Sequence, residues 1–284
     1  SGMIPCAIGT DTGGSVRLPA AFCGIVGLKT TEGLLPTKGI VPLSHTLDTP
    51  GPMARTVTDV ALMFEALCSE PINLDLSAGI AGMRIGSLSD QERMGIEAAQ
   101  LDAYDRALDQ LADLGAEIIQ FQPAKPFEEM KEAAAVILTA EGYFHHGALM
   151  DDPDSLVDEN VRPRFKAGAD ISSAQYVGAL LQRDSDRENF SLAMQGIDAL
   201  VTPTTPMLPT PLTETDELST PARFTRAINY LSMCGTSVPS GISNGGLPTS
   251  LQIACAGGNE AICLQISAAY ERARGALPAP PLFA

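Results

Sequence analysis

Basic residues are scarce in this chain. Eighteen Lys and Arg face 34 Asp and Glu in 284 residues, a formal charge of −16. So acidic a chain is repelled by nucleic-acid phosphates and anionic membrane surfaces, so neither is expected as a partner. Long apolar runs are absent as well. The longest candidate, residues 133–140, is far from the roughly 18–20 residues of a membrane span. No basic region followed by an apolar stretch marks a secretory signal. The cysteines (Cys6, Cys23, Cys68, Cys234, Cys255 and Cys263) form no C-x-x-C pair and have no zinc-finger spacing. They read as small buried thiols in a reducing cytoplasm. The only histidines are His45, His145 and His146, without a helical i, i+4 pair, so no metal site is expected and a Ser–His–Asp triad has little to draw on. Asp151, Asp152, Asp154 and Asp158 read as a solvated surface. No internal repeat or compositional break marks a linker, so residues 1–284 are read as one domain.

What is present is apolar. Hydrophobic residues make up 45% and charged residues 18% of the chain, enough for a deep core and against disorder. Strand-like and helix-like segments alternate, which predicts an α/β fold. Residues 83–88 read as a strand and Gly95 to Leu114 as a helix, with Leu101, Tyr104, Leu108 and Leu111 on one face and Gly115 as its left-handed stop. Residues 116–121 complete a β-α-β unit. Helices follow over Glu128–Met150 and Ser173–Met194, the second opened by a Ser172/Gln175 capping box. The polar stretch 151–170 between them reads as a surface loop with short helical turns. Residues 197–202 read as a buried strand. The proline-rich stretch 203–221 reads as an ordered loop at the sheet edge, because proline is unsuited to helix interiors and central strands. Thr220-Pro221 then suits the start of a helix reaching about Met233. Two strands, 238–243 and 249–254, and a helix from Asn259 to Arg274 close the chain.

The chemistry is concentrated at Gly9-Thr-Asp-Thr-Gly-Gly-Ser-Val-Arg-Leu-Pro19. A short apolar strand, Ile4–Ile8, runs into Gly13 and Gly14, which let the backbone turn sharply and aim N–H groups at one point. Such a nest binds an oxyanion, and Ser15 follows directly as a nucleophile. Asp11 and Arg17 flank the loop as a candidate buried pair. A glycine-rich structural turn or a phosphate cradle would show similar residues, although the Gly-Lys-Ser/Thr ending of a phosphate loop is missing. Gly241-Ile-Ser-Asn-Gly245 matches a G-x-S-x-G elbow, but a further strand follows it where an elbow needs a helix, so Ser243 is read as part of a turn. Met207, Leu208 and Phe224 are candidates for an apolar pocket, with core packing the alternative for each.

Further blocks accompany the first: Phe22-Cys-Gly-Ile-Val-Gly-Leu-Lys-Thr30, Gly39-Ile-Val-Pro42, Leu47-Asp-Thr-Pro-Gly-Pro-Met-Ala-Arg55, Thr58-Asp-Val-Ala-Leu62, Asp198-Ala-Leu-Val-Thr-Pro-Thr204, Val238-Pro239 and Gly246-Leu-Pro-Thr-Ser-Leu-Gln252. In this order the chain resembles the amidase signature family. The resemblance implies a central mixed β-sheet covered by helices on both faces. It divides the chain into a nucleophile segment (1–62), a variable, mostly helical region (90–195) and a C-terminal sheet with helices (196–284). It also implies hydrolysis of carboxylic amides through a Ser–cis-Ser–Lys triad, with no metal or organic cofactor. Ser15 aligns with the acylated nucleophile, and Thr12, Gly13, Gly14 and Ser15 with the backbone donors of the oxyanion hole. The family's bridging serine and lysine lie upstream of the nucleophile, before residue 1. Of Lys29, Lys38, Lys125, Lys131 and Lys166, none takes the base position, and Lys29 falls in a scaffold segment. Ser1-Gly2-Met3 reads either as a tag remnant with a start methionine or as the family's helix leading into the nucleophile strand; the second makes this chain the C-terminal portion of a longer enzyme.

The expected function is a cytoplasmic amidase acting on a small-molecule amide, with esters and carbamates open to the same acyl chemistry, so urethane cleavage is included. A homodimer is compatible with this reading. The alternatives are an amidotransferase A-type subunit that hands ammonia to a partner, and a non-catalytic fragment.

Overall fold

The computed structural model describes residues 3–215 and 220–278. The expectations for Ser1 and Gly2, and for 216–219 of the proline-rich stretch, lie outside the described residues. Among the described residues, eight strands form one mixed sheet: β1 (Cys6–Asp11), β2 (Val26–Lys29), β3 (Thr49–Ala54), β4 (Arg84–Leu88), β5 (Glu117–Phe121), β6 (Ala199–Pro203), β7 (Cys234–Ile242) and β8 (Pro248–Cys255), in the order β1-β3-β2-β7-β8-β6-β4-β5. β4 pairs in parallel with β5 and β6, and every other neighbour is antiparallel. The helices are α1 (Arg17–Cys23), α2 (Val57–Leu67), α3 (Asp90–Arg93), α4 (Ala98–Asp113), α5 (Phe127–Asp151), α6 (Val161–Lys166), α7 (Ser173–Ala193), α8 (Arg223–Tyr230) and α9 (Glu260–Arg274).

Alternation along β7 puts helices on both faces. Thr236 meets Ser267 of α9 at 2.7 Å. The next residue, Ser237, points the other way beside its register partner Gln252, which binds Arg17 of α1. The β4-α4-β5 unit forms as its sequence pattern predicts, and Gly115 ends α4 with φ 90°. Both halves of the Ser172/Gln175 capping box are made. Ala199, Leu200 and Val201 of β6 are wholly buried at the middle of the sheet, the apolar centre on which both layers pack.

Four expectations change. Residues 95–97 are not helical, because the Glu97 N–H is drawn 2.8 Å to the Pro206 carbonyl and its carboxylate accepts from Leu208 N. α8 begins at Arg223 and stops at Tyr230, where Ser232 takes φ 53° and the chain turns back on Asn229. The proline-rich stretch leaves an interior strand, β6, rather than a sheet edge. β7 begins at Cys234, earlier than the expected 238–243, and Pro239 lies inside it beyond the last β2 partner (Ser237) and at a register shift, where a proline is tolerated. Among the described residues, no helix is long and apolar enough to cross a membrane.

Leu200→Ala should lower unfolding free energy by about 2–5 kcal/mol, as a buried cavity does. Leu192→Ala, on the exposed side of α7, should change it by less than about 0.5 kcal/mol. Denaturant midpoints check both, and equal effects would contradict the core assignment.

Candidate active site

β1 ends at Asp11, the chain turns through residues 12–16, and α1 starts at Arg17. Asp11 organises this turn. Its carboxylate accepts from Gly14 N (2.8 Å), Val16 N (3.2 Å), Arg17 N (3.4 Å), Arg17 Nε (3.0 Å), Arg17 Nη2 (2.9 Å) and Asn229 Nδ2 (2.9 Å). Arg17 in turn donates to Gln252 Oε1 (2.7 Å), the Thr225 carbonyl (2.9 Å) and Asn229 Oδ1 (2.5 Å). Both charges are completely buried. A buried ion pair recovers its desolvation cost only when its remaining donors and acceptors find partners, and here every guanidinium nitrogen and both carboxylate oxygens have at least one. Burial alone would raise the Asp11 carboxyl; the charge and hydrogen bonds of Arg17, helped by Lys29 and Asn229, outweigh it and hold the group at about 2.

Steric fit fixes the rest of the turn. Gly14 has φ 125°, and a Cβ there would overlap Thr225 Oγ1 and stand 2.8 Å from Thr225 Cβ, so no side chain fits. The Thr225 hydroxyl donates to the Gly13 carbonyl at 2.9 Å. On the other side, Thr12 Oγ1 donates to Asp48 Oδ1 at 2.5 Å, while Asp48 Oδ2 accepts from Leu43 N and Ser44 N. That second loop is held by Glu141 of α5, which accepts from the hydroxyls of Ser44, Thr46 and Tyr176. These bonds overcome the upward push of burial and keep the Glu141 carboxyl below its ordinary value.

Ser15 sits exposed at the tip, and its hydroxyl has no hydrogen-bond partner among the described residues. One sequence expectation needs correction. The Gly14 N–H, expected to face an oxyanion, is taken by Asp11. The N–H groups of Gly13 and Ser15 meet no acceptor among the described residues. Thr12 is held through its hydroxyl.

Other candidates separate from this site. Phe224 is wholly buried against Phe127 (ring centroids 5.6 Å) and is core. Met207 lines a cleft of about 280 Å³ with Arg223. A larger cleft of about 990 Å³, lined by Glu32, Asp184, Glu188 and Leu231 among others, includes no residue of 11–17. Ser243 lies in the β7–β8 turn, bonded to Leu247 N. Lys29 is buried, and its ammonium donates to the carbonyls of Thr30 (2.8 Å) and Met233 (2.9 Å). Burial first, then the charge of Arg17, brings it down to about 8, against the pull of Asp11. His45 contacts Glu141 and His145, and His146 meets the Pro42 carbonyl. Among the described residues, no group of three or more His, Cys, Asp or Glu could hold a metal ion. Cys234, Cys255 and Cys263 are buried, but Cys6 and Cys23 are exposed and Cys68 is half-buried, which corrects the expectation for those three.

Sequence reasoning found the loop and its ion pair but missed Thr225, Asn229 and Asp48. Gln252 closed a recognised block, yet its contact with Arg17 was not foreseen; a lone glutamine in an apolar strand was the available signal.

A family model described as Amidase matches residues 1–264. The chain belongs to the amidase family. Among curated amidase relatives, the A-type subunit of glutamyl-tRNA(Gln) amidotransferase from Microcystis aeruginosa is 32% identical over 310 residues, covering 94% of this chain and 63% of that protein. The 2-amino-5-chloromuconic acid deaminase of Comamonas testosteroni is 35% identical over 269 residues, covering 87% and 56%. A solved amidase superposes with TM-score 0.86 at 29% identity over 95% of this chain and 63% of that one. The corresponding A-type amidotransferase subunit from Thermotoga maritima superposes with TM-score 0.82 at 27% identity over 98% and 66%. The chain thus spans just under two thirds of the length of the first two amidotransferase relatives.

Asp11→Asn should destabilise the fold at neutral pH, and the gap to wild type should depend on pH. A carboxyl lowered from 3.8 to about 2 stabilises the fold above pH 3.8 by about 2 kcal/mol, and this is lost as pH falls towards 2. Denaturant midpoints between pH 2 and pH 6 should therefore converge on acidification. A gap that stays constant or widens would contradict the assignment.

Proposed function

We propose that this protein cleaves a carboxylic amide through an acyl-enzyme on Ser15. The supporting observation is an exposed hydroxyl on a turn whose backbone is locked by a buried ion pair, beside N–H groups of Gly13 and Ser15, none of the three having a hydrogen-bond partner among the described residues. Ser15 Oγ attacks the carbonyl carbon as its proton passes to a base. The tetrahedral oxyanion faces those N–H groups. The C–N bond breaks as the base returns the proton to the leaving ammonia or amine, and water then hydrolyses the ester. In the family reading the base is a lysine working through a bridging serine. Lys29 is not assigned that role, because its ammonium is spent on two carbonyls. Esters and carbamates enter the same chemistry. A cytoplasmic location accords with cysteines that are all unpaired.

A second reading is favoured by the curated relatives named as A-type amidotransferase subunits: ammonia released at Ser15 passes to a partner. It predicts glutamine hydrolysis that rises only when partner subunits are added.

The test is fluorophosphonate labelling of the protein as its gene encodes it, with Ser15→Ala and Ser243→Ala beside wild type. Label should enter wild type and Ser243→Ala at Ser15 and be absent from Ser15→Ala, together with amide hydrolysis. Hydrolysis surviving in Ser15→Ala would overturn the assignment.

A further inference from the structure

Among the described residues, Arg226 is a buried cation without a counter-ion. It is 9% exposed, and its Nε is enclosed with no hydrogen-bond partner. No ion pair or side-chain hydrogen bond ties it to any described residue. Other buried arginines differ. Arg17 is held at every guanidinium nitrogen by Asp11, Asn229, Gln252 and Thr225. Arg183 is held by Glu32, Ser232 and the carbonyls of Asn229 and Tyr230. A guanidinium keeps its proton at every relevant pH. Enclosing part of one without an acceptor is costly. Burial first, then the nearby charge of Arg164, presses the Arg226 pKa down, with Glu128 opposing. Glu128 is itself paired with Lys131 at 2.5 Å.

The location of this group is specific. A Cβ placed on Gly13 would stand 3.0 Å from Arg226 Nε and 3.5 Å from its Cγ, so the arginine lies along the backbone two residues before Ser15. α8 holds it there rigidly. Thr225 binds the Gly13 carbonyl, Asn229 binds Asp11, and Phe224 is locked against Phe127. The guanidinium and the nucleophile turn therefore share one frame. In a chain of net charge −16, whose overall field repels anions, an uncompensated cation at this point is a local device.

Resting on the assignment of Ser15 as nucleophile, we propose that Arg226 binds a carboxylate carried by the substrate, so that the preferred substrates are amides bearing a carboxylate close to the scissile bond, such as the monoamide of a short dicarboxylic acid. A guanidinium matches a carboxylate with charge-assisted hydrogen bonds; the terminal nitrogens of Arg226, which unlike its Nε are not enclosed, are the donors open to it, and among the described residues they have no acceptor.

Two readouts test this separately from the hydrolase assignment. In the first, thermal shifts are recorded with succinamate, N-acetylglycine and their uncharged carboxamides on Ser15→Ala and on Ser15→Ala/Arg226→Met. At least one carboxylate should stabilise the first protein and not the second, and the neutral compounds should not distinguish them. In the second, kcat/KM is compared for the same compounds. Wild type should favour a carboxylate-bearing amide, and Arg226→Met should lose that preference by roughly 30-fold or more. The loss should fall mainly on KM, neutral amides should be little affected, and Arg226→Lys should retain part of the preference. Arg226→Met should also melt no lower than wild type, because it removes an uncompensated charge.

Wild-type preference for neutral amides, a preference unchanged in Arg226→Met, or equal thermal shifts in both proteins would overturn the inference. Failure of Arg226→Met to fold would do the same, by revealing a structural partner for the arginine. If Ser15 takes the fluorophosphonate while these results appear, the hydrolase assignment stands and only the carboxylate subsite falls. If Ser15 is not labelled but a carboxylate protects only the protein containing Arg226, the reverse holds.

Discussion

The ion pair between Asp11 and Arg17 joins residues six apart in sequence, and through it four elements meet at one buried point. Asp11 ends β1, Arg17 opens α1, Asn229 comes from α8 and Gln252 from β8. Without the pair, the N–H groups of Gly14, Val16 and Arg17 would need other acceptors, and α8 would lose its register against the turn. The geometry around Ser15 is thus a consequence of satisfying a buried charge. Removing one partner leaves the other uncompensated in a site closed to water, where that loss is most costly.

The turn was legible in the sequence because its information is local. Two glycines, a serine and flanking opposite charges within a few residues dictate a tight, anchored loop. The β4-α4-β5 unit, the Ser172 cap and the β7–β8 turn were legible for the same reason, each carried by periodicity or by a short-range signal. What escaped is long-range. Asn229 and Asp11 are separated by 218 residues, and no spacing rule connects them. The start of α4 was misplaced because a tertiary bond from Glu97 to Pro206 competes with helix formation. The start of β7 was misplaced because residues 234–237 take their strand conformation from pairing with β2 and β8, which their own sequence does not reveal. Gly14 was assigned to an oxyanion because the pattern shows how many N–H groups converge, not which of them Asp11 claims.

Charge is distributed unevenly in this acidic chain. Arg17, Lys29 and Arg183 are buried cations, each with protein acceptors. Arg226 is buried beside the same turn without any among the described residues. The contrast assigns the first three to scaffold and sets the fourth apart. It also explains why a lysine as enclosed as Lys29 is accounted for without chemistry: two carbonyls satisfy it.

The central claim is that the Asp11–Arg17 pair acts as a unit in presenting Ser15. The most direct measurement is a double-mutant cycle on the rate of Ser15 phosphonylation, using Asp11→Asn, Arg17→Gln and the combined variant. Each single change should slow labelling strongly, and the double variant should be no slower than the worse single one, because coupled partners are non-additive by about 0.5–3 kcal/mol. Losses that simply add, or single variants that label at the wild-type rate, would contradict the account.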